Sequence, residues 1–501
     1  METPIGIICN SEIKTLEMKH LLIIISTLVL LSACNETFKV KKTYSTVPDL
    51  FPDYIGVTIP CNIAPLNFKV NEDYSKIDVV LETKNESIHV QHNDFANFPI
   101  DPWRELLNAN KGDSIQVKVS IKKENDWYAY QPFSIYVSDD AIDDYLAYRL
   151  IAPGYEVYSK MGIYQRSLQD FKQDAIYENT LVQGSCVNCH SFRMGSAKDM
   201  SMHIRGKQGG TVLLTDNKME VLKTKTVETL SKFVYPYWHP SGNYMAYTLN
   251  DTHQVFHSSS NKRVEVFDNA SDVIVYDIAK NEIIKCDALM SDSVFETFPS
   301  FSPDGKTLYF CSAKTEIMPV EYTKVKYNLC SISFDPQNGT FGTKVDTLFK
   351  ASNIGKSVTF PRPSPDGKYV MFTLVDYGNF SIWHKEADLF LLDTETNKVT
   401  AIDAANSDDT ESYHSWSSDS RWFVFSSRRL NGLYTRPYIA HLNADGIVGK
   451  PFLLPQKDIN HYDDLLFSYN IPEFITEKVN IDIPKLEAQL KGEGKQVRVR
   501  N

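Results

Sequence analysis

Cysteine is scarce in this chain, with 8 in 501 residues. So few thiols over so long a sequence do not make a disulfide framework. Long apolar runs are also missing. The longest, Leu21 to Leu31, has eleven residues and is too short to span a bilayer as a helix. Positive charge is in deficit, with a net charge of −11, and no basic stripe marks a nucleic-acid footprint. No GxSxG elbow, P-loop or HExxH occurs, which removes the commonest hydrolase, nucleotide and zincin signatures. No second CxxC is present to complete a zinc set, and His253 and His257 are the one histidine pair with His-x(3–5)-His spacing. What is plentiful is aromatic: 27 Tyr and 27 Phe, residues that favour pleated, half-buried surfaces.

The cysteines that do occur fall in telling places. Cys186-Val187-Asn188-Cys189-His190 is a CxxCH, the attachment pattern for c-type haem. Two thiols three residues apart can each add across one porphyrin vinyl group, and the following histidine is the proximal ligand. At this Cys and His content, a chance CxxCH is expected on the order of 0.003 times per chain. The alternatives are a thiol-redox CxxC and half of a zinc site. The first usually sits in a βαβ context, which is absent here, and the second has no second CxxC. The pattern therefore predicts one covalent haem c on Cys186 and Cys189, with His190 on the iron.

The other axial position needs a second donor. Met194 follows His190 too closely, whereas Met200, Met202 and His203 lie ten to thirteen residues on. Met200 and His203 are i, i+3 and would share one face of a helix. His203 is the preferred sixth ligand, ahead of Met200, with propeller loops elsewhere as an alternative source. Arg205 and Lys207 are candidate partners for the haem propionates; the plainer alternative is solvated loop charge. His239 and His414 sit beside turn-like strands and are expected to be structural, while His384 and His461 fall in loop-like stretches.

The N-terminus has the shape of an export signal. Lys19-His20 is a small cationic region before the apolar run, which ends in Leu31-Ser32-Ala33-Cys34. This closely resembles a bacterial lipobox, in which the cysteine is lipidated and becomes the mature N-terminus. Met18 is the natural start of such a signal, and residues 1–17 read as an upstream extension. Lipidation at Cys34 anchors a protein without spanning the membrane. Haem c attachment occurs outside the bacterial cytoplasm, so both features predict an envelope location, with the periplasmic face favoured. Of the remaining cysteines, Cys311 and Cys330 lie in apolar strand-like segments and are expected to be buried thiols.

Four divisions follow the leader (residues 1–34). Residues 35–54 are polar and read as a tether. Residues 55–140 carry five short alternating strands and read as a small β-sandwich, with a helical turn near Trp103 to Asn110. From residue 145 to 470 the chain repeats. "YPYWHPSGNYMAYT", "FPSFSPDGKTLYFCS", "FPRPSPDGKYVMFT" and "SYHSWSSDSRWFVFSS" share one design, and their turn positions Pro240, Pro303, Pro365 and Ser418 lie 63, 62 and 53 residues apart. Pro presets φ and Gly accepts φ > 0, so each copy is a strand, a tight turn and a strand. A second strand pair follows each, giving the four strands of a propeller blade. Residues 477–501, rich in Lys, Glu and Gly, read as a loose tail.

These repeats resemble the TolB-type β-propellers, whose signature is the P-x-x-SPDG-x-x-Φ-x-F stretch. The resemblance covers roughly residues 230–456. It implies an all-β fold, a propeller of about six blades preceded by the small sandwich, but no activity, because propellers host many. "NCHSFRMG" falls where other copies have "PSFSPDG", which places the haem motif in the first hairpin of an early blade. "LLFSYNIPEF" is a candidate for closing the ring. Only about 45 residues follow the last repeat, too few for an appended α/β-hydrolase domain.

Three functions remain open: an envelope-anchored monohaem electron carrier or redox sensor, a haem peroxidase or oxidase-like enzyme with an open iron position, and a propeller that binds proteins or glycans. The first is preferred. It implies a redox or envelope protein partner, membrane attachment through the N-terminal lipid, and no nucleic acid.

Overall fold

The structure, a computed structural model, describes residues 38–152, 160–257 and 262–500. Six four-stranded antiparallel sheets stand as the blades of a β-propeller. Blade two holds Cys186–Arg193, Ser196–Arg205, Gly210–Thr215 and Lys218–Lys223, from the inside outward. The innermost strands of blades three to six are Val234–Trp238, Val294–Phe301, Ser357–Pro363 and Glu411–Trp416. Blade one is assembled from both ends of the repeat region. Its strands Tyr145–Ile151, Gly162–Ser167 and Gln173–Glu178 receive their innermost partner, Ser468–Ile475, from the far end of the chain. The candidate closing segment does close the ring.

Blade strands are buried on both faces because neighbouring blades stack. In Tyr369–Val375, the side chains of Val370, Phe372 and Leu374 join one core cluster, while Met371 joins another. Such strands read as continuous apolar runs instead of simple alternation. The inner strands also share an irregularity. In each blade the pairing slips by one residue, a β-bulge. In five blades the bulge holds a residue at φ near +50°: Tyr235, Phe298, Phe360, Tyr413 and Ile471. Four of these are rings that meet on the propeller axis. Tyr235–Phe298, Phe298–Phe360 and Phe360–Tyr413 have centroids 4.4, 4.0 and 4.9 Å apart. Tyr235 and Phe360, from non-adjacent blades, are 6.4 Å apart, so the rings plug the channel.

The turns behave as the SPDG chemistry predicts. Ser302 Oγ donates to Asp304 Oδ1 at 2.6 Å, and Gly305 follows at φ +71°. His239 of blade three lies beneath this turn and its Nε2 bonds the Gly305 carbonyl at 3.0 Å. His414 similarly bonds the Met371 carbonyl of blade five at 3.1 Å. Both histidines pin one blade to the next. A Cβ on Gly305 would lie 2.2 Å from His239 Nε2. Gly305→Ala is therefore expected to lower the thermal midpoint by more than the ~1–2 kcal/mol of left-handed strain alone. The check is that the corresponding Gly367→Ala, where a Cβ meets nothing nearer than 3.9 Å, costs clearly less.

The N-terminal domain is built on a seven-stranded sheet. Its long strand Ser114–Lys123 pairs with Lys76–Glu82, and Ile77, Val79 and Leu81 face inward with Ile115, Val117, Val119 and Ile121. The helix Ile100–Ala109 buries Trp103, Leu106 and Leu107 against it. The same core runs on into Trp422, Val424, Ile439 and Phe452 of blade six, so domain and propeller share one apolar seam.

Two boundaries differ from expectation. Residues 38–54, expected as a tether, enter the domain: Val40–Thr43 pairs in parallel with Asp126–Ala129, and Leu50–Phe51 pairs with Lys69–Val70. Edge pairing uses backbone groups, which a polar composition does not reveal. Residues 477–501, expected as a loose tail, hold the helix Ile483–Lys491, whose Asp482 side chain caps the Lys485 N–H. Leu486 and Leu490 share one face of that helix and are fully buried against blade two. Beyond it, Lys495–Gln496 and Arg498–Val499 add short parallel strands to the outer edges of blades two and three.

Candidate functional site

The CxxCH lies on the innermost strand of blade two. Register fixes where each side chain goes. Val187 pairs with Ile204 and His190 with Met202, so the bulge falls at Asn188 and Cys189. Asn188 thereby takes the position that Tyr235, Phe298, Phe360 and Tyr413 hold in their blades. Blade two contributes a short polar side chain to the ring of plugs where blade one contributes Ile471 and the other four contribute aromatics.

On that side of the plug the channel widens into a funnel of about 1810 Å³, open to solvent. Cys186 and Asn188 form part of its wall, together with Arg149, Arg205, Arg428 and Trp383. Cys186 and Arg205 are cross-strand partners. Arg149 Nη1 donates to Asn188 Oδ1 at 2.6 Å. Arg428 Nε donates to the Ile382 carbonyl at 2.5 Å, and its guanidinium lies 3.4 Å from the Trp383 ring centre. Burial pulls the Arg428 group down to about 9. Three guanidinium groups thus converge on one concave wall and make it attractive to anionic groups.

Cys189 and His190 sit in the wall behind this surface. Cys189 is buried and its sulfur accepts the Tyr235 N–H of blade three at 3.5 Å. Burial pushes its thiol up, so it is held as the thiol and not the thiolate. His190 is 3 % exposed and faces blade one. Burial, aided by Arg149, lowers its imidazole to about 3, so the ring is neutral. Among the described residues neither of its ring nitrogens has a hydrogen bond of good geometry, although the Ile471 backbone of blade one is near enough to oppose the downward shift. A neutral buried imidazole without such bonds forfeits both a donor and an acceptor, a cost of about 1–3 kcal/mol for each group. Such a ring asks for an occupant.

The other expected site residues separate. Arg205 joins Cys186 at the funnel. Met200 is packed in the apolar core between blades one and two, opposite Phe192 and Leu214. His203 is buried, with Nδ1 3.0 Å from Thr211 Oγ1, and burial lowers it to about 3. Neither lines the funnel. The segment is the strand Ser196–Arg205 and not a helix, so residues three apart point to opposite faces. Met200 and His203 therefore do not share the face expected of them. Lys207 is exposed in the following turn. Cys34 lies outside the described residues. Sequence reasoning missed Arg149, Arg428 and Trp383, which come from other blades. The discoverable signal was Asn188, a polar residue where the aligned repeats carry aromatics.

A second polar group lies between blades three and five. His384 stands 3.4 Å from both Glu265 and Glu386, and Tyr377 donates to Glu265 at 2.6 Å. His461 bonds the Tyr469 hydroxyl at 2.8 Å. Among the described residues no group of three or more His, Cys, Asp or Glu side chains is arranged to hold a bare metal ion, and no helix is long and apolar enough to cross a membrane.

No protein-family model and no curated protein matches the chain. Several solved structures resemble it. A DUF4784 family protein from Bacteroides caccae shares 9% identity over 71% of this chain and 95% of its own, with a TM-score of 0.28. The β-propeller domain of the Trilobed protease from Pyrococcus furiosus shares 10% over 68% and 81%, with a TM-score of 0.31. A puromycin-hydrolyzing peptidase from Mycobacterium tuberculosis shares 10% over 69% and 52%, with a TM-score of 0.35.

Proposed function

We propose that this propeller is the scaffold of an envelope-anchored c-type cytochrome carrying one covalent haem c. The observation that carries the proposal is His190: a buried, neutral imidazole, directly after Cys189 in a CxxCH, with both nitrogens lacking a hydrogen bond of good geometry among the described residues. Donor chemistry and surroundings fit the group. Cys186 reaches the funnel and Cys189 lies behind it, the two thiols that would form thioethers. His190 would be the proximal ligand, and a neutral ring always keeps a lone pair for iron. Arg205, Arg149 and Arg428 would face the propionates. When bound, haem supplies a reversible one-electron change at iron. The chain's own part is to bind and orient the group, to hold His190 neutral by burial, and to limit water at the inner wall through the aromatic plug. Cys189 and His190, like Met200 and His203, do not line the funnel, so loading would require the blade-two wall to open, and Met200 or His203 could donate to the iron only on such a rearrangement.

Export and anchoring through Cys34, and a redox or envelope protein as partner, belong to the same proposal. The test is a pyridine-haemochrome spectrum of the mature protein made in a periplasm with a c-type maturation system. One covalent haem per chain is expected, abolished in Cys186→Ala. A six-coordinate low-spin iron supports electron transfer, and a five-coordinate high-spin iron supports the peroxidase-like alternative. A protein free of covalent haem under those conditions overturns the cytochrome and leaves a binding scaffold.

A further inference from the structure

The channel has a second mouth. Beyond the aromatic plug, at the ends where the inner strands enter their turns, lies a separate recess open to solvent, about 760 Å³ with its open mouth included. Its rim is stiffened by Pro240, Pro303 and Pro365, one from each of three successive turns. Its apolar wall includes Tyr237, Trp238, Phe301 and Trp416. Both indole N–H groups are tied off, Trp238 on the Ser191 carbonyl at 3.2 Å and Trp416 on the Arg362 carbonyl at 3.0 Å. Those walls therefore offer hydrophobic surface with little spare polarity.

Two opposite charges stand in this cavity. Arg362 of blade five and Glu473 of blade one occupy the same position in their strands, two residues past the plug. They do not close on each other: among the described residues neither belongs to an ion pair within 4.0 Å. Ser415 of blade six sits between them, and its hydroxyl is spent on the Pro472 carbonyl at 2.8 Å. Arg362 uses one donor, Nη1 to the Pro361 carbonyl at 3.0 Å, and its guanidinium lies 5.3 Å from the Tyr237 ring centre. Glu473 Oε2 accepts only the Phe192 N–H at 3.0 Å. Burial lifts its carboxyl to about 7 even though Arg362 opposes the shift. A guanidinium has five donors and a carboxylate about four acceptor sites, so both groups keep most of their valence free. A carboxyl raised that far is about half ionised near neutral pH, and a ligand spanning the pair would restore its full charge.

We propose that this cavity binds a small zwitterion of the α-amino acid class, its carboxylate on Arg362, its ammonium on Glu473 and an apolar side chain against Tyr237, Trp238 and Trp416. A plain anion would meet Glu473, and a plain cation would meet Arg362. Only a ligand carrying both signs a few ångströms apart matches the pair. The aromatic wall selects for apolar side chains. The site is independent of the haem proposal, since the plug divides it from the funnel.

The test is calorimetric titration of the mature protein with L-leucine and L-phenylalanine, alongside N-acetyl-L-phenylalanine and L-phenylalaninamide. The free amino acids are expected to bind, and each capped derivative to bind at least tenfold more weakly. Arg362→Met and Glu473→Gln are each expected to lose at least tenfold in affinity while keeping the wild-type circular dichroism. The capped ligands make the same discrimination on the wild type should either variant fold poorly. Absence of free amino acid binding up to about 10 mM would overturn the proposal. So would capped and free ligands of equal affinity, or folded variants with undiminished binding.

Discussion

Chains ending at residue 466 are expected to accumulate as insoluble or unfolded material and not as a five-bladed ring. The cut removes Ser468–Ile475, the innermost strand of blade one. Tyr469, Phe474 and Ile475 in that strand are 0 %, 2 % and 0 % exposed. Burial of side chains of this size contributes about 1.5–3 kcal/mol each. Together they approach the whole net stability of a typical domain, about 5–15 kcal/mol. The loss also strips Tyr145–Ile151 of its inner partner and leaves a long apolar edge open to other chains. The control is a chain ending at residue 481. It keeps the closing strand, and keeps Val479 bonded to Gln165, but loses the helix carrying Leu486 and Leu490. It is expected to fold with a lower melting temperature. Soluble expression and calorimetry of the two truncations decide the matter. Equal behaviour would mean that the closing strand has no special role.

The plug gives the second large effect. Phe360 is 4 % exposed and touches Tyr235, Phe298 and Tyr413. Phe360→Ala is expected to cost about 3–5 kcal/mol, since it removes a buried ring that three other rings pack against. The more informative variant is Phe360→Gly. In an ordinary strand glycine is about 0.5–1 kcal/mol worse than alanine. At φ +53° the order should reverse, because alanine carries about 1–2 kcal/mol of left-handed strain that glycine does not. Urea midpoints that rank glycine at or above alanine confirm the bend; the usual strand order would argue against it.

Much of this architecture was legible beforehand, for reasons that can be named. The SPDG turns announce themselves because proline and glycine act locally, and four copies set the blade spacing. The burial of Cys311 and Cys330 follows from their apolar strands, and both are buried. The placement of the CxxCH in an early blade came from aligning "NCHSFRMG" with "PSFSPDG", and the glycine ending that stretch, Gly195, has a positive φ as Gly305 does. The shared face expected of Met200 and His203 is absent because an i, i+3 argument presumes a helix, and the segment is a strand. The alternation Met200, Met202, Ile204 already carried the period of two that places those side chains on one face and His203 on the other. The tether and the tail were misjudged from composition, where the operative signals were backbone pairing and the single repeat Leu486 to Leu490. The funnel arginines left no local trace, since Arg149, Arg205 and Arg428 meet only when three blades close.

The closing strand also governs when the ring can exist at all. Tyr145 pairs with Ile475, across more than three hundred residues of intervening chain. Blades two to six can each form from consecutive segments, whereas blade one must wait with three strands until the last of the repeat region arrives. Contacts of such long sequence separation are slow to form, because loop closure is paid before any contact rewards it. The CxxCH strand borders that unfinished blade, and its His190 faces it. Until closure, then, the His190 ring stands beside an open seam, and on the proposal above a haem-attaching apparatus would have there an access that the finished propeller, with His190 buried in its wall, no longer offers.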